Sequence, residues 1–193
     1  MGQFKFNKTK IEKCIKQLLS LLDPDPDREG LQETPKRVAK YWMELLEGNL
    51  YTNDEIAEMY DKCFEHVTTD ELVLEKDIEI FSHCEHHMAL MYSMNVAIAY
   101  IPKGKVIGLS KMARIAEMVA KRFQLQERIG EDISYVMRKI LGTEDVAVII
   151  EGKHACMTAR GAKSKNATTR TACLNGEFRD SPTLRSELYS LLK

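Results

Sequence analysis

Four of the five histidines, His83, His86, His87 and His154, fall in two short stretches, and each stretch also carries a cysteine. In Ser82-His83-Cys84-Glu85-His86-His87, Cys84 and His87 stand three residues apart, a spacing from which one thiolate and one imidazole reach the same divalent ion. Further along, His154-Ala155-Cys156-Met157-Thr158 reads as extended chain, and at period 2 His154, Cys156 and Thr158 share a face. Cys156 would complete a Cys, His, Cys set with a fourth position open to water. A structural zinc site closes on four protein ligands; three ligands and an open position are the catalytic arrangement, which brings bound water to a pKa of about 7. His154 or His86 then moves protons near neutrality. Spacing does not bring position 156 to position 84, and a Cys-x-x-His pair by itself is also what a buried core pair looks like. His66 and His83 read as surface or hydrogen-bonded residues. Cys14, Cys63 and Cys173 have no ligand-spaced partner and read as small core residues.

A second group is cationic. Lys153, Arg160, Lys163, Lys165 and Arg170 lie between Glu151 and Glu177 with no acidic residue among them. Ser110, Lys111 and Arg114 sit at an expected helix start, where free amides and the helix dipole favour an anion. Arg37 and Lys40 lie at another. Each group alone reads as a solvated face; together they suggest a polyanionic small molecule such as a nucleoside triphosphate, held without a Gly-rich phosphate loop. Gln126-Glu127-Arg128 opens a further helix. Its carboxylate and amide suit the donor edge of a guanine or pterin ring, and equally suit ordinary helix-start chemistry.

The elements that must position these groups follow from periodicity. Ile11, Ile15, Leu18, Leu19 and Leu22 mark a helix ended by the acidic, proline-containing run 23–27. Thr34 as N-cap and Pro35 open a second, which stops at Gly48, and a short third is expected over 53–62. Past Thr69 the period changes, which puts the boundary between an N-terminal helical region, 1–70, and a second domain, 71–193. Strands are expected over 72–80, broken near Lys76, and over 88–101, followed by a turn at 102–105. Ser110 caps a helix with Met112, Ile115, Ala116, Val119 and Phe123 inward. Another carries Ile129, Ile133, Val136, Met137, Ile140 and Leu141 to a stop at Gly142. Strands over 146–150 and 168–174 and a last helix capped by Ser181 with Pro182 complete an α+β order, strand, strand, helix, helix, strand, strand. So small a sheet has edges to cover or to pair with other subunits.

Composition excludes several classes. In 193 residues, 28 Lys and Arg balance 29 Asp and Glu, so neither a broad basic nucleic-acid surface nor an acidic tail is present. With 44% hydrophobic and 30% charged residues the chain can bury a core. No apolar run approaches the roughly 18 residues of a membrane span. Residues 1–13 lack the apolar centre of a secretory signal, and Gly2 lacks the Ser or Thr at position 6 that myristoylation wants. Five scattered cysteines suit a reducing compartment, so a cytoplasmic protein is expected, with no membrane or nucleic-acid partner.

Read in order, the motifs resemble the GTP cyclohydrolase I family. The resemblance runs from Glu33-Thr34-Pro35-Lys36-Arg37-Val38-Ala39-Lys40 through Cys84-Glu85-His86-His87, Tyr100-Ile101-Pro102 and Ile107-Gly108-Leu109-Ser110-Lys111 with Arg114. It continues through Gln124-Leu125-Gln126-Glu127-Arg128 to His154-Ala155-Cys156-Met157-Thr158-Ala159-Arg160-Gly161. It implies a tunnelling fold (T-fold), in which subunits join their sheets into a barrel, and a homodecamer of two pentamers with sites between subunits. It implies that Cys84, His87 and Cys156 meet on one zinc, and that GTP and water become formate and 7,8-dihydroneopterin triphosphate by attack of zinc-activated water at guanine C8. His154 would protonate the purine nitrogen, with His86 as a second proton-transfer group and Ser110 assisting later steps. Gln126 and Glu127 would hold the guanine edge, and Lys111, Arg114, Arg160, Arg37 and Lys40 the triphosphate. After the histidine pair the family commonly has a Pro-Phe step where this chain has Met88-Ala89-Leu90. Two rivals stand beside this reading. One is another T-fold enzyme acting on a pterin or deazaguanine, which as a reductase would use a metal-free nucleophilic cysteine. The other is a catalytically silent nucleotide-binding protein with a structural metal.

Overall fold

The computed structural model describes residues 4–69 and 71–193; Gly2, where the myristoylation motif was weighed, lies outside them. The chain begins with α1 (Lys8–Leu22), α2 (Thr34–Leu45) and α3 (Asn53–Met59), followed by β1 (Cys63–Thr68), β2 (Val73–Cys84), β3 (Leu90–Tyr100) and β4 (Lys103–Ile107). Then come α4 (Leu109–Ala120), β5 (Phe123–Gln124), α5 (Gln126–Leu141), β6 (Val146–His154), α6 (Ala155–Thr158), β7 (Thr169–Leu174), α7 (Glu177–Asp180) and α8 (Pro182–Leu191). Among the described residues no helix is long and apolar enough to cross a membrane.

Five strands form one sheet in the order β5-β2-β3-β6-β7, antiparallel except for the two-residue parallel pairing of β5 with His83 and Cys84. Period 2 along β3 sorts its side chains to two faces. Met94, Val96, Ile98 and Tyr100 meet α4 and α5 through Met112, Ile115, Val119, Ile129, Ile133 and Met137. Ala97, Ala99 and Ile101 face Phe178 of α7 and Leu188 of α8. The break expected near Lys76 is a bulge between Glu75 and Ile78, with Asp77 at φ 61°. Gly142, at φ 67°, ends α5 in the left-handed conformation that favours glycine.

Several elements differ from the sequence reading. Residues 103–107 form β4, paired antiparallel with β1, where a plain turn was expected; β1 is exposed along nearly its whole length and so shows no alternation, and β4 is only five residues long. Helix α4 starts one residue before Ser110 and is capped by Gly108, whose extended backbone (φ −65°, ψ 132°) turns the chain without a side-chain cap. Thr34 is the first residue of α2, and Glu33 holds the cap position. Strand β3 begins at Leu90 because residues 84–89 close a turn, with Cys84 N donating to Ala89 O (2.9 Å) and Met88 N to Cys84 O (2.9 Å). Cys14, read as a core residue, is exposed on α1, a helix with no buried residue.

The N-terminal helices are tied to the sheet layer at defined points. The Arg122 guanidinium donates to Gly48 O (3.1 Å), Tyr51 O (3.0 Å), Asn53 Oδ1 (2.7 Å) and Asp132 Oδ2 (3.3 Å). Gln124 and Asn53 each donate to the same Asp132 carboxylate (2.9 and 2.8 Å). Gly48 is required there, since a Cβ would lie 2.2 Å from Met118 O. Helix α2 reaches β2 through buried His83, whose Nε2 lies 3.3 Å from Tyr41 Oη and whose ring packs edge-on against Trp42.

Candidate active site

Strand β2 delivers Cys84 into the tight turn that precedes β3, and the turn returns His87 to it, with Cys84 Sγ 3.9 Å from His87 Nδ1. Cys156 arrives from β6, which runs antiparallel to β3 with His154 opposite Met91. The expected extended segment 154–158 is instead a helical turn, α6, immediately after His154. That turn is tied to β3 by Tyr92 Oη and Thr158 Oγ1, 3.0 Å apart. The ligand atoms of Cys84, His87 and Cys156 all lie within 4.8 Å of one another. Two sulfurs and one imidazole nitrogen form a donor set suited to zinc, and around a tetrahedral ion with bonds of about 2.0–2.3 Å such atoms stand about 3.5 Å apart. Burial pushes the Cys156 thiol up, and the neighbouring Cys84 adds to that rise. A cation between them would reverse the effect by favouring thiolate.

His154 is half-buried beside this group. Its Nε2 lies 2.9 Å from Oε1 of Gln126, and burial holds its pKa below the ordinary value against the opposing pull of Glu127. Gln126 itself is buried, its Nε2 donating to Ile150 O (3.1 Å) and Thr169 O (3.0 Å). Glu127, next on α5, is exposed, and Arg128 holds Glu85 of the cysteine-histidine turn through a 2.6 Å bond. His86 is exposed, its ring centroid 6.2 Å from that of His87. The sequence reading missed the Glu85–Arg128, Tyr92–Thr158 and Gln126–His154 contacts. The one available signal was the charge pairing of Glu85 and Arg128 within motifs already singled out.

The cations divide between two ends of the molecule. Ser82 Oγ donates to Ala120 O (2.7 Å), so the C-terminal end of α4 lies beside the cysteine-histidine turn. Ser110, ten residues earlier on the same helix, is therefore about 15 Å away along its axis. There Lys111 Nζ donates to the backbone oxygens of Lys62 and Tyr60, while Ser110 and Arg114 are exposed. Arg160 is exposed just after α6. Arg37 and Lys40 are exposed on α2, Arg37 one helical turn before Tyr41 and its contact with His83. Arg170 is paired with Glu151. One chain thus gathers Cys84, His87, Cys156, His154, Gln126 and Glu127 at one end, and carries Ser110, Lys111 and Arg114 at the other.

A family model described as GTP cyclohydrolase I matches residues 11–193. The chain belongs to the GTP cyclohydrolase I family. A protein named GTP cyclohydrolase 1 from Clostridium botulinum (strain Loch Maree / Type A3) is 56% identical over 186 residues, covering 94% of this chain and 95% of its own. One of the same name from Clostridium acetobutylicum is 56% identical over 187 residues, 95% and 96% of the two chains. Another from Ruminiclostridium cellulolyticum is 56% identical over 192 residues, 97% and 98%. The α+β architecture, a five-stranded sheet backed by α4 and α5 with a separate two-stranded ladder, is the T-fold of GTP cyclohydrolase I. Within that family, the Cys84, His87 and Cys156 cluster is a group able to take a metal ion.

Proposed function

We propose that this chain is a zinc-dependent GTP cyclohydrolase I, converting GTP and water into formate and 7,8-dihydroneopterin triphosphate, the entry to folate or biopterin synthesis. The observation that carries the reading is the meeting of Cys84, His87 and Cys156 within 4.8 Å, with His154 beside them, in a chain of this family. The three would hold Zn2+, which supplies Lewis acidity and lowers the pKa of water toward neutrality.

The remaining work falls to the chain's own side chains. Glu127 and the first turn of α5, opened by Gln126, meet the guanine edge. The carboxylate accepts from ring N–H groups, and the free amides of the helix start face a ring oxygen. His154 gives a proton to the purine nitrogen that develops charge as the imidazole ring opens, and exposed His86 serves as a second proton carrier. Ser110 assists the later rearrangement and reclosure. Lys111, Arg114, Arg160, Arg37 and Lys40 surround the triphosphate with charge-assisted hydrogen bonds.

The roughly 15 Å between the Ser110 end and the metal end of α4 favours a site shared between subunits, in keeping with a homodecamer of two pentamers in the cytoplasm. Incubation of GTP with zinc-loaded protein, and with protein stripped by a chelator, tests the activity. Formate and an oxidisable fluorescent pterin are expected together, and only with metal. Neither product from folded, metal-loaded protein would overturn it.

A further inference from the structure

Gln126 is expected by family resemblance to read the guanine base, yet its side chain is 1% exposed and its polar atoms are committed inside the protein. It lies over the β6–β7 ladder beside Gly152, where a Cβ would come 3.4 Å from its Oε1 and 2.8 Å from Met94 Cγ. Nε2 stands 3.1 Å from Ile150 O, 3.0 Å from Thr169 O and 3.3 Å from Thr171 Oγ1. The two carbonyls are acceptors only, so the amide nitrogen must face them. The reversed amide would set its oxygen against both carbonyls in a place water does not reach. Oε1, an acceptor, is thereby turned to His154 Nε2 at 2.9 Å. Only a protonated Nε2 satisfies that contact.

We propose that Gln126 is a positioning residue: its buried amide holds His154 with the proton on Nε2 and leaves Nδ1 as the ring nitrogen that exchanges a proton with substrate. The exchange rests on the cyclohydrolase reading; the Gln126–His154 assignment does not. Nδ1 has no hydrogen-bond partner among the described residues, whereas Nε2 is occupied. A proton leaving Nδ1 for the purine nitrogen returns the ring to its neutral Nε2–H form, and Gln126 neither gains nor loses a proton. Recognition of the base then rests with Glu127 and the helix start, and Gln126 acts one step behind the chemistry. The device has the logic of a group that orients a catalytic imidazole by hydrogen-bonding its far nitrogen.

The test is solid-state NMR of the zinc-loaded protein labelled with 13C and 15N at histidine, with His154→Ala identifying the His154 signals. The expected spectrum has neutral His154 with the proton on Nε2; an Nδ1–H form overturns the assignment. This measurement needs no substrate, so it decides the assignment whether or not the protein turns over GTP. In Gln126→Met the Nε2–H preference should be lost while zinc content stays stoichiometric. With GTP, kcat should fall about 10- to 100-fold and KM should change by no more than about twofold. The ratio of rates with GTP and inosine triphosphate, which lacks the 2-amino group, should stay as in the wild type. A raised KM with intact kcat, or a changed ratio between the two nucleotides, would show that Gln126 reads the base and would sink the proposal.

Discussion

At the scale of single residues, the candidate site separates metal ligands from proton carriers, and substitutions should separate them too. Cys156→Ser removes one of the two sulfurs in the cluster, so zinc content and turnover should be lost together. Metal analysis that finds stoichiometric zinc in an active variant would remove Cys156 from the ligand set. His154 touches Gln126 instead of the cluster, so His154→Ala should keep its zinc and lose about 10²- to 10⁴-fold in formate release. An unchanged rate rejects its acid role. The Cys84 and His87 pair was legible from spacing because a three-residue step is a local property. The hydrogen bond that Gln126 makes to His154 was not, because it spans 28 positions and depends on where β6 lies beneath α5.

Elements are held in register by a few polar fasteners. Arg122 is one, a largely buried guanidinium that bonds Asp132, Asn53 and two backbone carbonyls, Gly48 O and Tyr51 O. Removing one partner of a buried ion pair leaves the other uncompensated, so Arg122→Ala should cost about 3 kcal/mol in chemical denaturation. A loss below about 1 kcal/mol would show that water replaces the guanidinium there. The latch between α3 and α5 is exposed and works through pH. Lys139 and Tyr135 both donate to Asp54, at 2.6 and 2.7 Å, and hold its carboxyl below the ordinary 3.8. A depressed carboxyl contributes stability above its unfolded pKa and loses it as pH falls through the lower folded value. From about pH 5 down to about pH 3, the wild type should therefore lose stability faster than Asp54→Asn; parallel slopes would mean the latch adds nothing. Periodicity located α4 and α5, whose apolar faces repeat over three or more turns, and the shorter α8, which Ser181 and Pro182 announce. It missed β1, which is exposed along nearly its whole length, and the five-residue β4 paired with it, and it drew 154–158 as strand where tertiary contact through Thr158 favours a helical turn.

For the whole molecule, the proposed site draws on groups at the two ends of α4, which one copy keeps about 15 Å apart along the helix axis. Among the described residues β7 has a neighbour on one side only, and β5 covers only the last two residues of β2, so edges remain for other copies to pair. If neighbours complete each other's sites, Cys156→Ser and Lys111→Ala should each be inactive alone and regain about a quarter of wild-type activity when co-expressed. An inactive mixed oligomer would confine the site to one chain. The sequence alone determined the side chains competent for chemistry, the α+β order of the main elements and the near-neutral charge, since each is written in residue type and short-range period. Only the tertiary structure decided that position 156 meets position 84, that Gln126 is spent inside the protein, and that Ser110 and Lys111 stand apart from the cysteines. Those outcomes depend on sheet order, strand register and helix direction, and such long-range relations leave no period in the chain.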